Sequence, residues 1–481
     1  MSTGKPQTRL LGLMIGLAFL AVPFIFPPPS DMPPEAWRVT GAALLMATWW
    51  MTGAAPIPVT ALLPLALFPL LDITSTREAA APYAHPLIFL FLGGFILGIG
   101  MQRWSLHVRI GLRALMLVGT RPSQLSGGFM LSTAFISMWV SNTATTIMML
   151  PVGISVLALL DRNKEIDETS RRNLGIVLLL AIAYGATIGG LATLIGTPTN
   201  ALFAAYIEME HGITIGFARW MMIGLPVVAI MLTGCWLVLN WIYPVSAGPG
   251  IDAGSVVAAE LHTLGPISVA EIRVACVFIA TATAWMTRPL ISDFVPGLDD
   301  TVIAITGALL LFFIPCGMKN GGPLLRWEDL SSLPWGVLIL FGGGLSLAAA
   351  ISSSGLAAWL GAMMSTLENW PVFFIVAVAT IGMIFLTELT SNTASAAAFL
   401  PLAGAVALGI GFDPLMITIP ITIAASCAFM LPVATPPNAI VYSSGRLTIP
   451  QMVRAGLWLN LLGAVVILTV SYTMIGWLFP R

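Results

Sequence analysis

The chain has 481 residues, of which 58% are hydrophobic and 9% charged. Soluble domains carry about 25% charged residues, so this composition excludes a water-soluble enzyme and describes an all-α polytopic membrane protein. The formal net charge of −1 argues against nucleic acid as a partner.

The first apolar run, residues 10–27, is too long for the core of a signal peptide and is expected to remain as a transmembrane helix. Lys5 and Arg9 before it would hold the N-terminus in the cytoplasm. Further spans are expected at 37–52, 55–71, 86–102, 174–207, 217–243, 271–290, 299–316, 334–361, 413–443 and 450–479. Trp49-Trp50 reads as an interfacial anchor. The segment 103–121 carries four arginines and is placed along the cytoplasmic interface, with Arg109 and Arg113 one helical turn apart.

Two more apolar stretches, 122–160 and 371–410, are each too long for one crossing and polar where the middle would be. A re-entrant hairpin explains both features. Irregular backbone at bilayer depth is tolerated where it is buried in protein or faces a water-filled cavity. About 11 spans plus two hairpins can be tested by charge. Arg38, Arg77, Arg219, Arg288 and Arg481 fall outside and the other 15 of the 20 basic residues fall in the cytoplasm, as the positive-inside rule requires.

The hairpin middles carry the same triplet, Ser141-Asn142-Thr143 and Ser391-Asn392-Thr393. Residues 141–151 and 391–401 share 6 of 11 positions at an offset of 250. Gly93-Gly94 pairs with Gly342-Gly343, and Thr197-Pro198-Thr199-Asn200 with Thr435-Pro436-Pro437-Asn438. Each half has an odd number of crossings, so the repeats must be inverted, the arrangement of transporters that alternate access around a midplane site. The expected divisions are an N-terminal helix (1–36), a first repeat (37–243), a cytoplasmic linker (244–270) and a second repeat (271–481). The linker is read as a loop, with Asp252, Glu260 and His262 solvated.

The chemistry follows from the breaks. A hairpin tip offers N–H groups, which favour anions, and C=O groups, which favour cations. Ser, Thr and Asn side chains serve either partner. Proline after Thr197 and Thr435 stops a helix and frees carbonyls about one turn earlier, and Gly196 allows close backbone approach. No Lys or Arg lies in either hairpin core or beside either break, so a bound anion would need its positive charge from a hard cation. Na⁺ is the inferred coupling ion, one per repeat; oxygen ligands alone do not separate it from Li⁺ or water. Glu388 stands inside the second hairpin, where its repeat partner is Met138. It reads equally as a functional acid or as a brace to the backbone.

No nucleophile–base pair, metal cluster or carboxylate pair suggests an intramembrane enzyme. The four cysteines are far apart and read as apolar fillers, and the four histidines as interfacial polar groups. A channel is disfavoured, since occluding hairpins in inverted repeats suit alternating access.

Both triplets, with the stretch Ala425–Val441 (ASCAFMLPVATPPNAIV), resemble the divalent anion/Na⁺ symporter family, the sodium:dicarboxylate and sodium:sulfate symporters. The resemblance covers nearly the whole chain. It implies a homodimer with a fixed scaffold domain and a transport domain that moves like an elevator. Carried onto this sequence, the first Na⁺ site would use Ser137, Ser141, Asn142 and Gly196, and the second Thr387, Thr390, Asn392 and Ala434. Substrate carboxylates would meet Asn142, Thr143, Thr197, Asn392, Thr393, Thr435 and Pro436. Family members often have Ser or Ala at Thr197 and Thr390; Thr keeps the hydroxyl. The function implied is Na⁺-coupled symport of C4-dicarboxylates across the cytoplasmic membrane. Symport of sulfate or another oxyanion, and dicarboxylate exchange, are the alternatives.

Overall fold

The structure is a computed structural model that describes residues 6–116, 122–162, 167–245, 253–292, 294–318, 321–364 and 370–478. The described residues form helices joined by short loops, with one isolated bridge between Pro315 and Pro323. Among the described residues, eight helical segments are long and apolar enough to cross a membrane, and five shorter apolar segments accompany them. Lys5, Arg121, Lys164, Asp252, Lys319 and Arg481, used above for orientation or the linker, lie outside the described residues.

Within 122–160 and 371–410 the chain forms two helix–turn–helix pairs. Pro122–Ser137 returns as Asn142–Arg162, and Val372–Thr387 returns as Asn392–Gly409. Each first arm has 16 residues. That rises about 24 Å, short of a ~30 Å hydrocarbon core. The arms are joined by 138–141 and 388–391, which carry the same turn pattern.

Two expected spans are broken where the sequence places Thr-Pro. Residues 174–207 divide into Glu168–Gly189, a 3₁₀ turn Gly190–Ala192, a loop and Pro198–His211. Residues 413–443 divide into Leu415–Ala425, an irregular stretch 426–435 and Pro436–Tyr442. Proline fits the first helical turn, where its missing N–H costs nothing. Glu168–Gly189 is apolar nearly all round and its membrane-length window is wholly buried. It is the central pillar, packed on both arms of the first hairpin and on Pro436–Tyr442.

The halves exchange contacts at the breaks. Pro198–His211 packs on Asn392–Gly409 of the second hairpin, and Pro436–Tyr442 packs on Asn142–Arg162 of the first. Outside this centre, Pro6–Ile25 lies along Pro34–Thr52, and Pro86–Arg103 along Asp300–Phe313.

Several expectations are corrected. The span 55–71 is two short helices, Ile57–Thr60 and Leu63–Leu70, and 334–361 is divided at Ser353. Trp50 is no interfacial anchor: it is 3% exposed and donates to the Ile57 carbonyl at 3.2 Å. The linker contains a helix, Ala253–Thr263, packed on Leu106–Met116. Arg109 is not a solvated charge on its segment. It is buried against Glu271, with Nε–Oε1 at 2.7 Å, and donates to the Gly265 and Leu264 carbonyls at 3.0 and 3.3 Å. The long-range partner makes a charge tolerable there that would otherwise be expelled. Of the cysteines, Cys235, Cys316 and Cys427 are buried, but Cys276 is exposed.

Candidate functional site

The second arm of each hairpin begins at the Asn of its triplet, and that Asn bonds back to the end of the first arm. Ser137 Oγ lies 2.7 Å from Asn142 Oδ1 and donates to the Ala186 carbonyl at 2.7 Å. Thr387 Oγ1 lies 2.6 Å from Asn392 Oδ1 and 2.9 Å from the Ala425 carbonyl oxygen, with one hydroxyl proton to give between them. Ala186 and Ala425 sit near the ends of the two broken helices, so the same three-way junction is built twice. The triplets are half-buried, while Ser137 and Thr387 are fully buried.

The first junction is ringed by oxygen. With its amide nitrogen turned inward, Asn142 donates to Ser137 Oγ, the Ala186 carbonyl and the Gly196 carbonyl at 2.7, 3.2 and 3.3 Å. With its oxygen inward, acceptors face one another and require a cation or proton between them. Gly196 closes this ring by close approach: a Cβ there would stand 2.4 Å from the Gly190 carbonyl oxygen.

The asparagines of the Thr-Pro-X-Asn motifs hold the unwound backbone. Asn200 Nδ2 donates to the carbonyls of Thr193, Gly190 and Leu191 at 2.8, 3.3 and 3.4 Å. Asn438 Nδ2 donates to those of Leu431 and Ala428 at 3.0 and 3.4 Å. Thr435 caps its own helix by accepting from the Asn438 N–H at 3.3 Å, whereas Thr197 lies 3.4 Å from the Thr199 hydroxyl. These bonds keep the non-helical turns in one shape.

Glu388 is a brace. Its carboxylate is 3% exposed and accepts from the N–H groups of Phe429, Met430 and Leu431 at 2.7, 2.9 and 3.0 Å, and from Asn460 Nδ2 at 2.8 Å. The first half has Met138 at this place, and there the Met138 carbonyl accepts from Thr193 Oγ1 at 2.5 Å.

Of the residues expected from sequence, Ser137, Asn142 and Gly196 converge, as do Thr387 and Asn392. Ser141 Oγ instead caps its helix, accepting from the Ala144 N–H at 3.3 Å. The Thr390 hydroxyl is occupied by the Leu386 carbonyl and by Ser395 Oγ at 2.9 and 2.6 Å. Ala434 is buried in the second break, and its N–H donates to the Leu431 carbonyl at 3.2 Å. Pro436 is exposed at the start of its short helix. Sequence reasoning missed Ala186, Ala425 and Asn460. No motif marks the two alanines because their carbonyls, not their side chains, take part.

Paired broken helices and hairpins, with polar groups gathered inside an apolar bundle, define a membrane transporter rather than an enzyme. The chain belongs to the family described as the sodium:sulfate symporter transmembrane region, which it matches over residues 7–479. It is similar to the sodium-dependent dicarboxylate transporter SdcS of Staphylococcus saprophyticus, 40% identical over 476 residues, 97% of this chain and 91% of that one. The SdcS of Staphylococcus aureus strain USA300 is also 40% identical, over 96% of this chain and 91% of its own length. Among solved structures, the YdaH transporter of Alcanivorax borkumensis shares the fold, with a TM-score of 0.53 at 14% identity over 99% of each chain.

Proposed function

We propose that this protein is a Na⁺-coupled symporter of C4-dicarboxylates such as succinate, malate and fumarate. The observation that carries this reading is the duplicated oxygen junction in a region free of fixed positive charge. No Lys or Arg occurs in residues 122–161, 174–218 or 371–445. A dianion would therefore find only helix N-termini and hydroxyl and amide donors. One cation at Ser137, Ser141, Asn142 and Gly196, and another at Thr387, Thr390, Asn392 and Ala434, supply the missing charge as cargo. Thr390 and Ala434 contribute backbone oxygens in this reading. The carboxylates then bridge the two tips through Asn142, Thr143, Asn392 and Thr393, with Thr197, Thr435 and Pro436 lining the second edge.

The relatives named for sodium-dependent dicarboxylate transport agree with this chemistry. The two halves are taken as inverted repeats, 37–243 and 271–481, with re-entrant hairpins and a cytoplasmic N-terminus. Na⁺ binds first and orders the tips, the dicarboxylate follows, and the charge-compensated transport domain crosses as an elevator against a dimeric scaffold. The matching junction geometry and the exchanged packing of the breaks support the repeat.

The test is uptake of labelled succinate into proteoliposomes under an inward Na⁺ gradient against an equal K⁺ gradient. Na⁺-dependent accumulation, competed by malate, is expected. Uptake indifferent to Na⁺ but dependent on internal dicarboxylate would overturn symport in favour of exchange. Sulfate uptake without succinate uptake would move the substrate to the family's other oxyanion.

A further inference from the structure

Away from the junctions, a cleft of about 540 Å³ opens where the ends of Glu168–Gly189, Phe217–Ile242 and Ile449–Leu478 meet. Arg172 and Arg454 line it with Thr169, Gln451 and one acid, Glu168. Both arginines are exposed, and neither forms an ion pair with another described residue. The walls are fixed: Tyr243 donates to the Gln451 carbonyl at 2.8 Å, and Asn173 Nδ2 to the Pro244 carbonyl at 2.8 Å.

Directly beside the cleft the surface becomes aromatic and apolar. Trp458 stands one turn after Arg454, and its ring meets that of Trp241 edge to face at 5.4 Å. Both tryptophans are exposed, at 45% and 65%, and Leu237 and Leu461 continue the exposed face along the same helices. Tryptophan in that position marks a membrane–water boundary. A basic cleft between helix ends at this level is suited to a lipid headgroup.

We infer that this cleft binds the phosphate of an anionic phospholipid, with Arg172 and Arg454 as its ligands and the acyl chains lying along Trp241 and Trp458. A soluble oxyanion would use the same arginines but gain nothing from the adjoining apolar face.

Purified full-length protein in detergent would be offered phosphatidylglycerol or phosphatidylcholine, and retention read by native mass spectrometry and thermal melting. Phosphatidylglycerol is expected to be retained preferentially. Each arginine near a membrane surface is worth about fivefold, so Arg172→Ala with Arg454→Ala should weaken retention roughly 30-fold. Arg77→Ala, on a distant exposed helix, should leave it unchanged. The pair Arg172→Gln and Arg454→Gln keeps polar bulk and guards against a misfolded double alanine variant. Equal retention of both lipids, or unchanged retention in both double variants, would overturn the proposal. So would displacement of phosphatidylglycerol by millimolar inorganic phosphate or succinate, which would assign the cleft to a soluble anion.

Discussion

Thr199 and Ser426 are 227 positions apart, yet their hydroxyls meet at 2.6 Å and join the two broken helices directly. Tyr184, in the central pillar, makes a second tie by donating to the Phe429 carbonyl at 2.8 Å. The two broken helices are thus tied to each other by buried polar contacts. Replacing Ser426 by Ala should leave the Thr199 hydroxyl short of a partner and cost about 1–3 kcal/mol. Thr199→Val in the same protein should recover part of that loss. A thermal-melt double-mutant cycle measures the coupling, and strict additivity would show that the contact carries no energy.

Asn142→Ala and Asn392→Ala should each abolish Na⁺-driven succinate uptake while the protein still inserts and purifies. Each removes one side chain from a junction and leaves Ser137 or Thr387 bonded to its broken-helix carbonyl. Full uptake by either variant would remove that junction from the site.

Gly196→Ala is expected to reduce uptake more than tenfold. The added methyl would stand 2.4 Å from the Gly190 carbonyl oxygen, which belongs to backbone and cannot swing aside. The loop must shift, taking the Gly196 carbonyl with it. A raised Na⁺ concentration for half-maximal uptake should appear first, and an unchanged value would separate Gly196 from cation binding.

Glu388→Gln tests the brace. The carboxylate now accepts four hydrogen bonds, and an amide nitrogen in place of one oxygen would face a backbone N–H. One unmade bond of that kind costs about 1–3 kcal/mol. A lowered melting temperature with reduced uptake at all pH values is expected. Unaltered stability coupled with loss of only Na⁺ activation would instead make Glu388 a cation ligand.

Glu271→Gln should destabilise by about 3–5 kcal/mol, because it strands the buried Arg109 guanidinium. Leu106–Met116, which carries Arg109, packs on the first arm of the first hairpin. Loss of the pair should therefore also raise proteolysis within residues 253–271. Equal protease resistance would show that the linker helix is held without it.

Hairpins and breaks were legible in the chain because their signals are local. A Ser-Asn-Thr in the middle of an overlong apolar stretch and a Thr-Pro inside another both contradict a continuous helix. The oxygens of Ala186 and Ala425 were not legible, since backbone carbonyls have no sequence signature. Nor was Trp50, whose composition fits an interface but whose indole is enclosed by the chain turning at Ile57.

By itself, the sequence determined an all-helical membrane chain, two hairpins, two proline-broken helices and the absence of basic charge around them. Those properties follow from hydropathy, covalent geometry and charge, which need no partner. Only the tertiary structure decided which distant groups complete one another: Arg109 with Glu271, Glu388 with the backbone at 429–431, and Thr199 with Ser426. Burial of a polar group in an apolar bundle is affordable only beside a matching group, and which group that is depends on how the helices cross.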